Sequence, residues 1–450
     1  MKRKMWRMGK LAGCTIAGSI SLLLSAAAVL PDNPASPEYQ ANIRKNRSRV
    51  EALMKEKQFA GDLVSYTVVP MSETMRLADV YPADGKINSP LMAVLAKDEF
   101  EPISFQLFAL KNLKNVTFDI PDLKAADGSN AVLSSKNLDM KVVKIWYQNG
   151  NRWTSYFADV GLGLCPELLL KDENLIKVDT REVANYARVK TDKGEKYVWI
   201  SAPNKMDPGV FDPMQKGFED AKTLQPVTLN ANEFKQFFIT VHAPENQKSG
   251  LYSGVITVKS NNKELMKLPI YVNVLPYVLP LPKSFDDLDK PFVAAMMGGG
   301  SSMSDMMKHY GEPKLARQKL EEHYQNLKNH SLFYPGYPQE AYMFELIRKM
   351  GFPMDVVMGK NFVPWYGRNF GGRLTFDNYM TAKAASEKAH KFYMKHVGHN
   401  NILTSYGDEQ GAAFVVAHRN FHKYFMQYGI QVGCAGHSVL FYKGGYAYGL

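Results

Sequence analysis

Two adjacent carboxylates, Asp408 and Glu409, are the side chains of this chain best suited to acid-base chemistry. They stand in the segment NILTSYGDEQ, where a short apolar run predicts a buried strand that ends in a Tyr-Gly step. Two carboxyl groups this close cannot both ionise freely, so we expect the pKa of one of them to rise. A carboxyl with a raised pKa donates a proton at neutral pH, while its ionised neighbour stabilises positive charge.

This division of roles suits glycoside hydrolysis, whose transition state resembles an oxocarbenium ion. Ordinary retaining glycosidases need carboxyl groups about 5 Å apart across the sugar, and neighbours on one strand fit that geometry poorly. A substrate-assisted scheme fits better. In it the 2-acetamido oxygen of the sugar attacks the anomeric carbon, Asp408 orients and stabilises the acetamido group, and Glu409 protonates the leaving oxygen. The alternative is that both acids begin a helix, where they would satisfy free amides and the macrodipole.

Six further residues are candidates for contacts with a sugar substrate, although each also has a purely structural interpretation. Four are aromatic residues in Pro- and Gly-rich loops after predicted strands, one is the tyrosine before the acid pair, and one is a histidine that ends a strand. They are Trp365, Tyr366, Tyr334, Tyr337, Tyr406 and His437. We expect no metal and no cofactor, because His396 and His399 at a helix end have no acids at ligand spacing.

Residues 63–280 contain the elements of a β-sandwich. Short runs such as ISFQLFAL and KQFFITVHAP are rich in Val, Ile, Thr, Phe and Tyr, and turn residues separate them. Strands at this spacing with few helices predict a sandwich. The polar segment 29–62 predicts a solvated helix or linker before it, and the Pro-rich VLPYVLPLPK marks the end of the domain.

Residues 284–450 alternate between predicted strands and amphipathic helices, which predicts a parallel sheet with helical crossovers. Consecutive units of this kind fit a (β/α)8-type barrel, in which catalytic groups stand at the carboxyl ends of the strands. Asp408 and Glu409 close the fourth predicted strand. We count about five strands and four helices where a closed barrel has eight of each, so we expect a barrel truncated at the C-terminus. A smaller open α/β sheet is the alternative.

The segments LAKDEFEPISFQLFAL, VVKIWYQNG, PELLLKDENLIKVD and NEFKQFFITVHAPENQKSGLYSGVITV resemble the N-terminal β-sandwich of glycoside hydrolase family 123 and its uncharacterised relatives. The predicted barrel, with Tyr-Gly-Asp-Glu at a strand end, is similar to theirs in order and spacing. The resemblance covers most of residues 63–450. It implies β-N-acetylgalactosaminidase activity by the substrate-assisted route, with Asp408 as the stabilising acid and Glu409 as the general acid.

Two other functions stay open. The chain could be a non-catalytic exported carbohydrate-binding protein, or a conventional retaining glycosidase with Glu409 as acid/base and its nucleophile on a missing strand. The residue before the acid favours substrate assistance, because large retaining-barrel families have Asn there and this chain has Asp408. In every case the expected partner is an oligosaccharide or glycan.

The first 28 residues predict a signal peptide. A basic start, MKRKMWRMGK, precedes the apolar LAGCTIAGSISLLLSAAAVL, and Ala26–Ala28 supplies small residues for cleavage. We therefore expect export to the periplasm or the extracellular space. Leu11–Cys14 looks like a lipoprotein cleavage box but precedes the apolar stretch, so we expect no lipid anchor at Cys14.

The net charge of +11 does not indicate a nucleic-acid partner, because part of it stands in the first ten residues and the rest is scattered. No later segment is apolar enough to predict a membrane span.

Overall fold

The computed structural model describes residues 34, 36–148, 162–191, 193–200, 219–280, 302–330, 332–336, 338–359, 376–405 and 422–433. Within them lie the helices α1 (Pro37–Glu56), α2 (Met303–Tyr310), α3 (Pro313–Asn329), α4 (Ala341–Lys349) and α5 (Phe376–His396). The strands of the first half are β1 (Leu63–Val68), β2 (Lys86–Ile87), β3 (Leu91–Lys97), β4 (Phe100–Ala109), β5 (Leu113–Asp119), β6 (Leu123–Ala125), β7 (Val132–Leu133), β8 (Leu138–Gln148), β9 (Gly163–Leu170) and β10 (Ile176–Asp179). They continue with β11 (Ala184–Thr191), β12 (Gly194–Trp199), β13 (Val227–Leu229), β14 (Phe234–His242), β15 (Gly250–Ser260), β16 (Lys263–Val278), β17 (Val357–Gly359), β18 (Ile402–Ser405) and β19 (Gln431–Gly433).

A six-stranded sheet with the order β2-β1-β4-β14-β8-β9 forms one layer of the first half. All of its neighbouring strands are antiparallel, and the central pair β4 and β14 is in register from Phe108 opposite Phe234 to Phe100 opposite His242. Because side chains alternate along a strand, Phe105 and Phe237 point to one face of this sheet, while Gln106 and Gln236 point to the other.

A second sheet, β13-β5-β15-β16-β3, packs against that first face. One hydrophobic cluster contains Phe105 and Phe237 from the six-stranded sheet together with Ile256 and Ile270 from this one. Phe118 of β5 bridges the layers, with its ring centroid 4.8 Å from that of Phe237. The prediction of a mostly β chain is confirmed in this form, and a three-stranded sheet β10-β11-β12 adds to it.

Helix α1 differs from the solvated helix or linker that the sequence predicts. Its cap is orderly, because the Ser36 hydroxyl accepts a hydrogen bond from the Tyr39 amide at 3.1 Å. Tyr39, Val50 and Met54 fall on one face of the helix and are buried. That face joins a cluster on the outer side of the six-stranded sheet with Val64, Tyr66, Val68, Phe108 and Phe234.

The second half of the described chain is α/β, as predicted. Strands β17, β18 and β19 form a parallel sheet in that order, and α5 lies in the chain between β17 and β18. Residues 422–426 are helical and precede β19. Where described, the predicted strand SLFYPGYP contributes only a single bridge residue, Tyr334, because Pro335 and Pro338 have no backbone N–H to donate to a ladder. The predicted strand PFVAAMMGGG lies outside the described residues.

A membrane span was not predicted for the mature chain. None of the helices that the structure describes is both long enough and apolar enough to cross a bilayer.

Candidate active site

The carboxyl edge of the parallel sheet is the place where the predicted chemistry would be positioned. Gly359 pairs with Thr404, and Ser405 pairs with Gly433, so the three strands end at the same edge. Parallel α/β folds carry their sites at this edge because loops from several strands converge there. The described part of β18 ends at Ser405, three residues before Asp408 in the sequence.

One face of this sheet is fixed by the helices. Ile402 is 1% exposed and shares a cluster with Ala385, Ala389 and Tyr393 of α5. Thr404 follows on the same face by the alternation of the strand and is buried. Leu403 therefore points to the opposite face, away from α5. Packing against α5 on one face therefore fixes the position of β18.

A polar network occupies the amino edge of the same sheet. The Asn401 side-chain amide donates to the Asp355 carbonyl at 2.7 Å, and the Asn401 backbone amide donates to His399 Nδ1 at 3.1 Å. Since Nδ1 accepts, the proton of the neutral ring lies on Nε2, which donates to the Met354 carbonyl at 2.6 Å. Both ring nitrogens of His399 therefore serve the packing of the strand starts.

Tyr334 belongs to this amino edge. It is 2% exposed, and its hydroxyl donates to Asp355 Oδ1 at 3.3 Å. Burial raises the pKa of the Tyr334 phenol, and the nearby Asp355 carboxylate adds to the shift. Its ring lies in a cluster that includes Leu320, Tyr324 and Ile347. These contacts are those of a core residue, so the sugar contact predicted for Tyr334 stays a prediction that the geometry does not favour.

His396, at the end of α5, also has a structural environment. Its ring stacks on Phe344 with centroids 5.2 Å apart. Burial lowers the pKa of the His396 imidazole, and the positive charges of Lys395 and Arg348 lower it further. Across the described ranges, no group of three or more His, Cys, Asp or Glu side chains could hold a metal ion.

The remaining site predictions fall on residues outside the described part of the chain. They are Asp408, Glu409, Tyr337, Trp365, Tyr366, Tyr406 and His437. The roles predicted for them stay predictions. Six of them follow β17, β18 or β19 in the sequence, and the structure places the carboxyl ends of these three strands side by side.

Sequence reasoning missed a second concave surface, on the outer face of the six-stranded sheet. Its cavity has a volume of about 970 Å³ and is lined by residues that include Arg76, Glu167 and Gln236. A signal for it existed in the runs ISFQLFAL and KQFFITVHAP. Their polar members Ser104, Gln106 and Gln236 stand at alternate positions, opposite the apolar residues that face the core.

Comparison with known proteins gives a match that is informative about the fold. No family model and no curated protein matches the sequence. Among solved structures, a family 123 glycoside hydrolase from Clostridium perfringens, described for its hydrolysis of glycolipid glycans, superposes with a TM-score of 0.52 at 11% sequence identity. The alignment covers 85% of this chain and 65% of that one.

The chain has a fold similar to that of a family 123 glycoside hydrolase. The resemblance noted in the sequence is therefore confirmed at the level of the fold, and an identity of 11% extends it no further.

Two other solved structures align at much lower scores. They are a protein that catalyses macrocyclization in alchivemycin A biosynthesis, with a TM-score of 0.21 and 10% identity over 49% of this chain and 94% of that one, and the ASH/PapD-like domain of human CEP192, with 0.18 and 9% over 46% and 92%. These scores carry no argument about the fold.

Proposed function

We propose that this chain is an exported glycoside hydrolase that cleaves 2-acetamido-sugar glycosides of the β-N-acetylgalactosaminide type by a substrate-assisted, retaining mechanism. One observation carries the proposal. The sequence has an Asp-Glu pair three residues after the end of β18, and β18 ends at the carboxyl edge of a parallel sheet in a chain whose fold is similar to that of a family 123 glycoside hydrolase.

The proposed architecture is a signal peptide over residues 1–28, a helical segment over 29–62, a β-sandwich over 63–280 and part of a (β/α)8-type barrel over 284–450. The shared core of the two large sheets supports the sandwich, since the side chains of both inner faces contribute to it. The parallel order β17-β18-β19 supports the barrel.

In the proposed reaction the sugar's acetamido oxygen attacks the anomeric carbon as the bond to the leaving oxygen breaks. Glu409 gives its proton to that oxygen, so the leaving group departs as a neutral alcohol. The ring formed on the sugar carries the positive charge, and the carboxylate of Asp408 stabilises it through the acetamido N–H. Water then attacks the same carbon as the bond from that carbon to the acetamido oxygen breaks, one proton of the water passes to the Glu409 carboxylate, the acetamido group is restored, and the configuration is retained.

Neighbouring residues of an extended strand point to opposite sides, so an adjacent acid pair in that conformation would approach the sugar from different directions.

The test uses the full-length protein and measures release of nitrophenol from nitrophenyl β-N-acetylgalactosaminide. We expect turnover that a thiazoline analogue of the cyclic intermediate inhibits. Asp408→Asn and Glu409→Gln should each reduce kcat/KM by about 10²–10⁴-fold. The loss for Glu409→Gln should grow when the nitrophenyl group is replaced by an alkyl group, because a poorer leaving group depends more on the proton.

The chain offers a matched control in a second Asp-Glu pair, Asp98 and Glu99, which follows β3. Asp98 is exposed and contacts His242 at 3.2 Å. Asp98→Asn should leave turnover unchanged. If Asp408→Asn keeps its turnover and the thiazoline analogue does not inhibit the enzyme, substrate assistance is rejected in favour of a separate nucleophile. Sugar binding without turnover of the galactosamine or glucosamine glycoside would favour the non-catalytic alternative.

A further inference from the structure

The cavity on the outer face of the six-stranded sheet, called here the outer-face cavity, has a floor built by β14, β8 and β9. Gln236 and Phe238 of β14 point into it because Phe237 and Ile239 point into the core. Val143 of β8 pairs with Leu169 of β9 and extends the floor across the sheet. Its volume of about 970 Å³ lies within the range of small-molecule sites.

The wall of the outer-face cavity is a loop tied down by Arg76. The guanidinium is 3% exposed and forms two hydrogen bonds with the Asp84 carboxylate, at 2.9 and 2.6 Å. It also donates to the Val69 carbonyl at 3.4 Å, at the start of the loop that lines the cavity. A paired guanidinium holds the loop in place, and its charge is neutralised.

The charges left in the lining are negative. Glu73 and Glu167 are the other ionisable side chains among the described residues that line the cavity. Two hydrogen bonds fix the orientation of the Glu167 carboxylate. Its Oε2 accepts from Trp146 Nε1 at 2.9 Å and from the Gln148 side-chain amide. A phosphate or carboxylate ligand would meet two carboxylates and no unpaired cation. The lining therefore disfavours an anionic ligand.

An amide at the floor of the cavity suits a ligand with hydrogen-bonding groups. Gln236 donates to Ser104 Oγ at 2.9 Å and is 9% exposed at the floor. Gln106 stands directly opposite Gln236 across the strand pair and is fully buried. Neither its Nε2 nor its Oε1 has a hydrogen-bond partner within the described part of the chain. Gln106 is not among the described residues that line the cavity, so Gln236 is the amide of this pair that a ligand there would meet.

We propose that the outer-face cavity binds a neutral saccharide. The exposed apolar side chains of Leu169 and Met71 and the partly buried ring of Phe238 suit the C–H faces of a sugar ring, while Gln236 and Glu167 suit its hydroxyls. This site lies on strands of the first half of the chain and includes neither Asp408 nor Glu409. It goes beyond the proposed reaction, because saccharide binding there requires no hydrolysis.

The test measures saccharide binding by isothermal titration calorimetry on the full-length protein, and the two arginine variants described below distinguish binding at this cavity from binding at the proposed catalytic site. The probes are the methyl β-glycosides of galactose, glucose and N-acetylgalactosamine, with lactose as a disaccharide and inorganic phosphate as an anion. We expect at least one saccharide to bind and phosphate not to bind. Glu167→Gln should weaken binding about 3- to 10-fold, the effect of changing one hydrogen bond.

Two arginine variants separate the cavity from the rest of the surface. Leu169 and Leu251 are exposed to a similar extent, 40% and 44%, on the outer faces of different sheets. Leu169→Arg should abolish binding by filling the cavity, and Leu251→Arg should leave it unchanged. Absence of saccharide binding in the parent, or equal binding by both arginine variants, would overturn the proposal. The unsubstituted protein can test saccharide binding in the outer-face cavity even if it has no hydrolytic activity, because the binding measurement does not require turnover.

Discussion

The ring of Tyr393 on α5 lies against the α-carbon of Gly359, the last residue of β17. A Cβ built on Gly359 would overlap the Tyr393 hydroxyl oxygen and Ile402 of the neighbouring strand, and would lie 2.9 Å from Tyr393 Cζ. Glycine is required at this position because the helix and the strand approach too closely for any side chain. The contact fixes α5 on the strand end from which the proposed site departs.

Gly359→Ala should therefore destabilise the second half of the chain by about 1–3 kcal/mol, the cost of overpacking a filled site. Urea unfolding of the variant would show a lower midpoint. Gly433→Ala is the matched control at the same edge, because its Cβ would come no nearer than 3.9 Å to the Thr404 carbonyl oxygen. Equal stability of the two variants would show that Tyr393 does not pack as described.

Arg76 and Asp84 predict a loss of stability in acid. The hydrogen bonds from Arg76 hold the pKa of Asp84 below its ordinary value of 3.8. The folded state therefore binds this proton less readily than the unfolded state. The stabilisation is fully present above about pH 4 and disappears as the pH falls through the folded pKa of Asp84.

Asp84→Asn should lower the free energy of unfolding at pH 7 by about 1–3 kcal/mol, because Arg76 loses its charged partner while buried. It should also reduce the dependence of stability on pH below about 4. Denaturant titrations at several pH values measure both effects. Asp62→Asn is the control, since the pair of Asp62 with Lys111 is 45% and 59% exposed and should contribute little. A parent and variant with the same acid response would reject the role of Asp84.

Val50 tests whether α1 is part of the folded core of the first half. The residue is fully buried against the outer side of the six-stranded sheet. Val50→Asp should destabilise the protein by more than about 2 kcal/mol, because an unpaired carboxylate would be buried. Ala52→Asp, on the exposed face two residues away, should change stability by less than about 0.5 kcal/mol. If thermal unfolding shows the same stability for the two variants, α1 is better interpreted as a linker.

Tyr334→Phe separates packing from substrate binding. The variant removes the hydrogen bond to Asp355 and keeps the ring, so unfolding should become easier by about 0.5–1.5 kcal/mol. If Tyr334 only packs, KM and kcat for a nitrophenyl glycoside should stay the same. A rise in KM without loss of stability would instead support the sugar contact that the sequence predicts.

Local patterns allowed much of the fold to be predicted. The period of two in runs such as those of β4 and β14 predicted the strands of the first half, because alternation follows directly from backbone geometry. The longer period of α3 and α5 predicted helices between parallel strands for the same reason. The acid pair at 408–409 was predicted from the chemistry of adjacent carboxylates, and its role still rests on that argument and on a fold-level likeness.

The sequence by itself determined the element types, the change from β to α/β along the chain and the presence of an Asp-Glu pair after a strand. Only the tertiary structure decided that α1 packs on the six-stranded sheet, that Tyr334 bonds to Asp355, and that Arg76 and Gln236 meet at one cavity. The physical reason is the range of the interactions. Periodicity arises between residues a few positions apart, whereas a cavity wall and its floor come from segments far apart in the chain, whose meeting depends on how whole sheets and helices pack.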